Sequence, residues 1–154
     1  MRRLVLLLVT FAVGCSSGTE GTPNAAFCAS LPWNVTIGRS TLQVEIADND
    51  AERSQGLMGV TRLPENHGMA FVWDAPTEGT FWMKDTLIPL SIAFVGADGR
   101  VVTLRDMAPC EAEPCQTYTA TEPYVWAIEA NAGWFGEHHA EVGDEVGLHQ
   151  QMCS

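Results

Sequence analysis

The sequence predicts a mainly β protein, a compact single domain built as a β-sandwich or barrel-like fold with one or two short helices. Three observations carry this. Apolar residues alternate with polar ones over short runs, as Leu42, Val44 and Ile46 do against Thr41, Gln43 and Glu45, the period of a half-buried strand. Turn residues recur between the runs, most clearly at Gly38-Arg39-Ser40 and Gly96-Ala97-Asp98-Gly99. Helical spacing shows only in brief stretches, which favours a sandwich or barrel. A length of 154 residues and a hydrophobic content of 46% suffice for one buried core, and neither a repeat nor a second domain is visible.

In chain order, residues 34–37 and 41–47 read as paired strands. Asn49, followed three residues on by Glu52, resembles a capping box. It opens a short helix over residues 50–58 that Gly59 can end in a left-handed turn. Residues 68–73 are a strand and residues 74–79 a turn into the stretch 81–94. There Phe81 and Met83 point one way and Trp82 and Lys84 the other. Residues 90–95 and 100–107 flank the Gly96–Gly99 hairpin, and residues 108–117 form a loop. Residues 124–130 are a strand, with Tyr124, Trp126 and Ile128 alternating against Val125, Ala127 and Glu129. Residues 131–138 are at most a short helix, and residues 141–146 close the domain as a turn and a short strand.

The N-terminus reads as an address. Met1-Arg2-Arg3 is positive, and residues 4–13 are apolar except for Thr10. That is signal-peptide length, too short for a spanning helix. Phe11-Ala12-Val13-Gly14-Cys15 resembles a bacterial lipobox, with Ala12 where leucine is commoner. The resemblance implies a signal peptide over 1–14, cleavage before Cys15 and a diacylglyceryl anchor on its sulfur. Each buried CH₂ of such an anchor contributes about 0.8 kcal/mol. Residues 15–30, rich in Ser, Gly and Thr, then read as a flexible tether and residues 31–154 as the folded domain. The expected place is outside the cytoplasm, tethered to a bacterial cell membrane. Secretion with cleavage nearby is the competing reading.

Without Cys15, four cysteines remain, and an even number outside the cytoplasm suggests disulfides. Of three possible pairings, Cys110–Cys115 and Cys28–Cys153 are preferred, the first closing a small loop and the second tying the domain's ends. The formal charge of -11 speaks against nucleic acid, which needs a basic footprint, and against a charge-driven anionic membrane partner. A monomer without cofactor or metal is expected. His138-His139 between Glu137 and Glu141 is the most metal-like cluster, yet adjacent helical histidines diverge by about 100°. Met58, Met69, Met83 and Met107 suit either a Cu(I) site or an apolar core. His67 and His149 stand alone.

Five segments recur in a telling order: Glu52-Arg53-Ser54-Gln55-Gly56-Leu57-Met58, Gly68-Met69-Ala70-Phe71, Phe81-Trp82-Met83-Lys84, Ile92-Ala93-Phe94 and Val142-Gly143-Asp144. Together they resemble the DUF192 family over residues 35–148. The resemblance implies a compact, mainly β domain, often exported, and brings no activity with it. Two positions depart from the family pattern: Asp85 stands where asparagine is usual, and Ser91 where aspartate is usual. An enzyme reading that rests on the second position lacks its carboxylate here.

The expected function is binding of a small molecule or cell-envelope component. Candidate ligand residues are Glu52, Arg53, Trp82, Lys84, Asp85 and Glu129. Charges set among apolar or tightly turned neighbours must be paired or functional, and an aromatic beside a cation suits small polar ligands. Trp82 would stack on the ligand, Arg53 and Lys84 would meet its anionic or carbonyl groups, and Glu52 would hold Arg53 or accept hydroxyls. A hydrolase-type enzyme is the first rival, with Glu52, Asp85 or Glu129 as general base and Lys84 as stabiliser. The second is a docking lipoprotein with an exposed apolar patch. Structural ion pairs, or a core strand whose lysine reaches water, account for the same charges. No G-x-S-x-G, H-E-x-x-H, phosphate-loop or C-x-x-C motif is present.

Overall fold

The computed structural model describes residues 32–151. The expected signal peptide, Cys15 anchor, tether and Cys28–Cys153 bridge lie outside the described residues. The elements are β1 (Trp33–Ile37), β2 (Ser40–Ala47), α1 (Asp50–Gln55), β3 (His67–Thr77), β4 (Phe81–Trp82), β5 (Leu90–Val95), β6 (Val101–Met107), β7 (Thr117–Tyr118), β8 (Tyr124–Asn131), α2 (Trp134–Glu137) and β9 (Val146–Gln150). Seven strands form one sheet in the order β6-β5-β8-β3-β2-β1-β9, and β4 pairs with β7 alone.

Neighbours are antiparallel except β2 and β3, which run parallel from Gln43–His67 to Ala47–Phe71. A parallel pair needs a long crossover, so the chain leaves the sheet after Ala47, forms α1 and a loop, and returns at His67. The edge strands β6 and β9 approach at one end, where Arg100 and Glu145 form a single bridge. Val101 N donates to Asp144 O at 2.9 Å and Val146 N to Gly99 O at 2.8 Å beside it. The fold is thus mainly β and barrel-like without closing into a barrel.

Both faces of the sheet are apolar. One core gathers Val35, Ile37, Leu42, Val44, Ala93, Val95 and Ile128 around Trp134 and Phe135 of α2. The other gathers Phe71, Met83, Leu90, Ile92, Phe94, Met107 and Tyr124, with Leu57 from the crossover. All six residues of β5 are therefore buried, the continuous apolar run of a strand covered on both sides.

The structure departs from the sequence expectations in several elements. Helix α1 stops at Gln55 because Gly56 takes a left-handed φ of 47°, a conformation glycine adopts without strain. Residues 74–77 continue β3 instead of turning, with a register shift against β8 between Val72 and Thr77. That irregularity accommodates Pro76, which a regular ladder excludes. Beyond it Tyr124 joins the second core while Ile128 faces the first, so the expected alternation fails at its first residue. The last strand runs Val146–Gln150, past the expected 141–146, and Thr117–Tyr118 forms a short strand. Met83 is buried beside half-exposed Trp82 and Cys110 and Cys115 are bridged, as expected.

Gly68 fixes how closely β3 approaches β8. A Cβ there would lie 2.1 Å from Glu129 O and 2.9 Å from Leu42 Cδ2. Gly68→Ala is expected to destabilise the fold by about 1–3 kcal/mol through overpacking. Chemical denaturation measures this, and an unchanged midpoint would refute the close contact.

Candidate functional site

Glu129 sits on the central strand β8, across from Met69 on one side and Ile92 on the other. Side-chain alternation puts it on the face of Ala127, that of the second core. It is only 4% exposed. Among the described residues its carboxyl makes no hydrogen bond and no ion pair, and its oxygens are not sealed off but open onto a cleft. Desolvation raises the carboxyl from its ordinary 4.5 to about 8, so near neutrality it is held mainly as the neutral acid.

Glu129 lines a narrow cleft of about 80 Å³ together with Gly56, Leu57, Thr86, Arg53 and Trp82. An adjoining groove of about 350 Å³ shares Arg53, Ser54, Phe71, Thr80, Phe81 and Trp82 with it and adds Trp73 and Tyr124. The aromatic floor is rigidly packed. Phe81 meets Phe71 edge-on at 5.0 Å, Trp73 meets Tyr124 at 5.3 Å, and Tyr124 Oη donates to Gly79 O at 3.0 Å. Burial lifts the Tyr124 hydroxyl to about 12, which keeps it protonated.

Helix α1 makes one wall. Asn49 Oδ1 accepts from Glu52 N at 3.0 Å, and Glu52 Oε2 accepts from Asp48 N at 3.2 Å, a reciprocal cap close to that read from the sequence. Arg53 fastens the helix to the sheet. Its guanidinium donates to Val72 O at 2.8 Å and to Asp48 O, pairs with Asp50 at 2.6 Å, and lies 5.3 Å over Trp73.

The cleft therefore unites Arg53, Trp82 and Glu129 and leaves the other three candidates outside its lining. Glu52 caps α1. Lys84 pairs with Glu113 of the disulfide loop at 3.5 Å and stands 5.5 Å over the Trp82 ring, so the aromatic shelf carries the protein's own cation. Asp85 is exposed with a φ of 53°, and its carbonyl accepts from Gly59 N at 2.9 Å. At Ser91 the hydroxyl donates to Asp106 directly across the strand pair and accepts from Gly133 N at 2.8 Å. A carboxylate thus stands directly across the strand pair from Ser91. Thr86 and Phe81 in the cleft and Trp73 in the groove were not among the candidate ligand residues, because only the packing of distant segments places them there.

The remaining candidates have structural surroundings. Met69, Met83 and Met107 pack in the second core, and Met58 lines the cleft. His138 Nδ1 lies 2.8 Å from Trp134 O with its ring stacked on that indole at 4.2 Å. A larger groove of about 710 Å³ opens between β1–β2 and the crossover, lined by Trp33, Val44, Ile46, Val60, Leu63 and His67. His67 Nδ1 is buried there without a partner. None of the candidate ligand residues lies in it, and its one carboxyl, Glu45, is exposed to water, so the Glu129 cleft is the better site despite its smaller size.

Glu129 makes stability depend on pH with a defined sign. Its carboxyl binds a proton more tightly folded than unfolded, so its contribution is full below about pH 4.5 and is lost as pH rises through about 8. Unfolding measured from about pH 5 to pH 8.5 is expected to show a loss on the order of 3–4 kcal/mol from this group. Glu129→Gln is expected to flatten that slope. A variant with the wild-type slope would remove Glu129 as its source.

No curated protein matches the chain. Among solved structures, it is similar to a protein of unknown function from Novosphingobium aromaticivorans DSM 12444. The two are 35% identical over 75% of this chain and 83% of that one, with a TM-score of 0.68. It is also similar to a Sinorhizobium meliloti 1021 protein provisionally described as a transcription regulator, 28% identical over 76% of this chain and 93% of that one, with a TM-score of 0.70. The DUF192 profile, described as "Uncharacterized ACR", matches residues 33–148. With the profile spanning most of its length, this chain belongs to the DUF192 family.

Proposed function

We propose that this protein is a lipid-anchored extracytoplasmic domain that binds a small molecule or the small end of a cell-envelope component in the Glu129 cleft. The observation that carries the reading is a buried carboxyl without a partner at the inner end of an aromatic groove. Burying a polar group unpaired costs free energy that the fold recovers only in part, and such exceptions concentrate where ligands bind. Half-exposed Trp82 offers a stacking surface at the mouth. The anchor and location rest on the signal-like start and Cys15. The regulator description of the Sinorhizobium relative does not transfer readily, because a formal charge of -11 opposes nucleic acid.

One observation favours the enzyme rival. A carboxyl raised to about 8 suits a general acid. That mechanism also asks for a second carboxylate and for Lys84 as stabiliser, and both Asp85 and Lys84 lie outside the cleft lining. Binding is the stronger reading.

A thermal-shift screen of the purified full chain against envelope sugars, peptidoglycan fragments, amines and metabolites tests it. A ligand at 100 times its Kd should add about 2.7 kcal/mol of stability. Trp82→Ala is expected to lose most of the shift while keeping the unliganded melting temperature nearly unchanged. A panel with no shift at all would overturn the pocket reading in favour of a docking lipoprotein.

A further inference from the structure

The charges around the cleft are not balanced. Arg53 is matched by Asp50 at 2.6 Å and Lys84 by Glu113 at 3.5 Å. Glu129, more buried than either pair, forms no ion pair among the described residues, and the one cation sharing its cleft, Arg53, is already taken by Asp50. A buried carboxyl without a donor is unfavourable in either protonation state, and most so when ionised. A ligand that brings the missing cation removes that deficit.

Size divides the site into a head and a body. The inner cleft, about 80 Å³, admits a few heavy atoms, whereas the groove of about 350 Å³ takes a ring. Trp73, Phe81, Trp82 and Tyr124 line that outer part, and their faces attract both rings and cations. Building on the binding reading above, we infer that the ligand is a primary amine whose ammonium head pairs with Glu129 and whose flat or ring-bearing body lies in the aromatic groove. Arg53 lines the same space, but its hydrogen bonds go to Val72 O, Asp48 O and Asp50. Thr86 Oγ1 donates to Lys84 O at 3.4 Å, leaving its lone pairs to accept from an ammonium. The overall charge of -11 favours approach of a cation, and an anionic head would meet an unmatched carboxyl.

The proton balance follows. The amine arrives as an ammonium and donates N–H hydrogen bonds to the Glu129 carboxylate. The proton that Glu129 carried in the free protein passes to solvent, about one per ligand near pH 6.5.

Isothermal titration of the full chain with 2-phenylethylamine and with its neutral counterpart 2-phenylethanol separates the possibilities. Two buffers of different ionisation enthalpy report the released proton. The amine is expected to bind about tenfold or more tighter than the alcohol, with release of about one proton. Glu129→Gln is expected to abolish both the release and the amine's advantage. Equal or tighter binding of the alcohol would overturn the ammonium assignment while leaving the aromatic groove a binding site. Binding of neither probe would overturn the assignment of head and body together, and the Trp82→Ala comparison in the ligand screen decides separately whether the groove binds at all.

Discussion

Strand β8 is held from both sides, by β3 from Gly68–Ala130 to Val72–Trp126 and by β5 from Leu90–Asn131 to Val95–Trp126. That double pairing, tightened where Gly68 leaves no room for a side chain against Glu129 O, fixes the direction in which Glu129 points. With apolar layers on both faces of the sheet, the carboxyl is confined to the cleft and does not reach open water as a lysine on an edge strand can. Its raised protonation range is a consequence of being at the middle of the sheet, with no charged neighbour needed to explain it.

The walls of the cleft are attached to the same frame by polar ties. Arg53 joins α1 to Val72 of β3. Asn131, at the end of β8, donates from Nδ2 to Leu63 O and Pro64 O at 3.2 and 2.9 Å, and Trp134 Nε1 donates to Asn66 Oδ1 at 3.0 Å. Ser91 ties β5 to the turn before α2 through Gly133 N. Both ends of the crossover are therefore fastened to the sheet.

Much of the frame was legible in the sequence because strand periodicity, turn residues and the Asn49–Glu52 cap are local signals. The β5 and β6 limits, the hairpin between them and the Cys110–Cys115 bridge follow from such signals. The parallel pairing of β2 with β3 was not legible, since direction is decided by which partners meet in space. The site was half legible. Charges in apolar surroundings pointed to Arg53 and Glu129, and an aromatic beside a lysine pointed to Trp82. The same rule also selected Glu52 and Lys84, whose charges are absorbed by a helix cap and by Glu113. Pairing is a tertiary fact, and only the geometry separates a satisfied charge from an unsatisfied one.

The parallel pair has one more effect. Because β2 and β3 run the same way, the chain must spend residues 48–66 outside the ladder, and those residues supply the α1 wall of the cleft and the apolar rim of the larger groove. A hairpin at this point would have left no such segment. The crossover contributes no residue to the strand register, while Glu129 lies within the paired ladder of β8. The fold thus separates the buried carboxyl, held on the sheet, from the segment that shapes its surroundings, which lies outside the ladder.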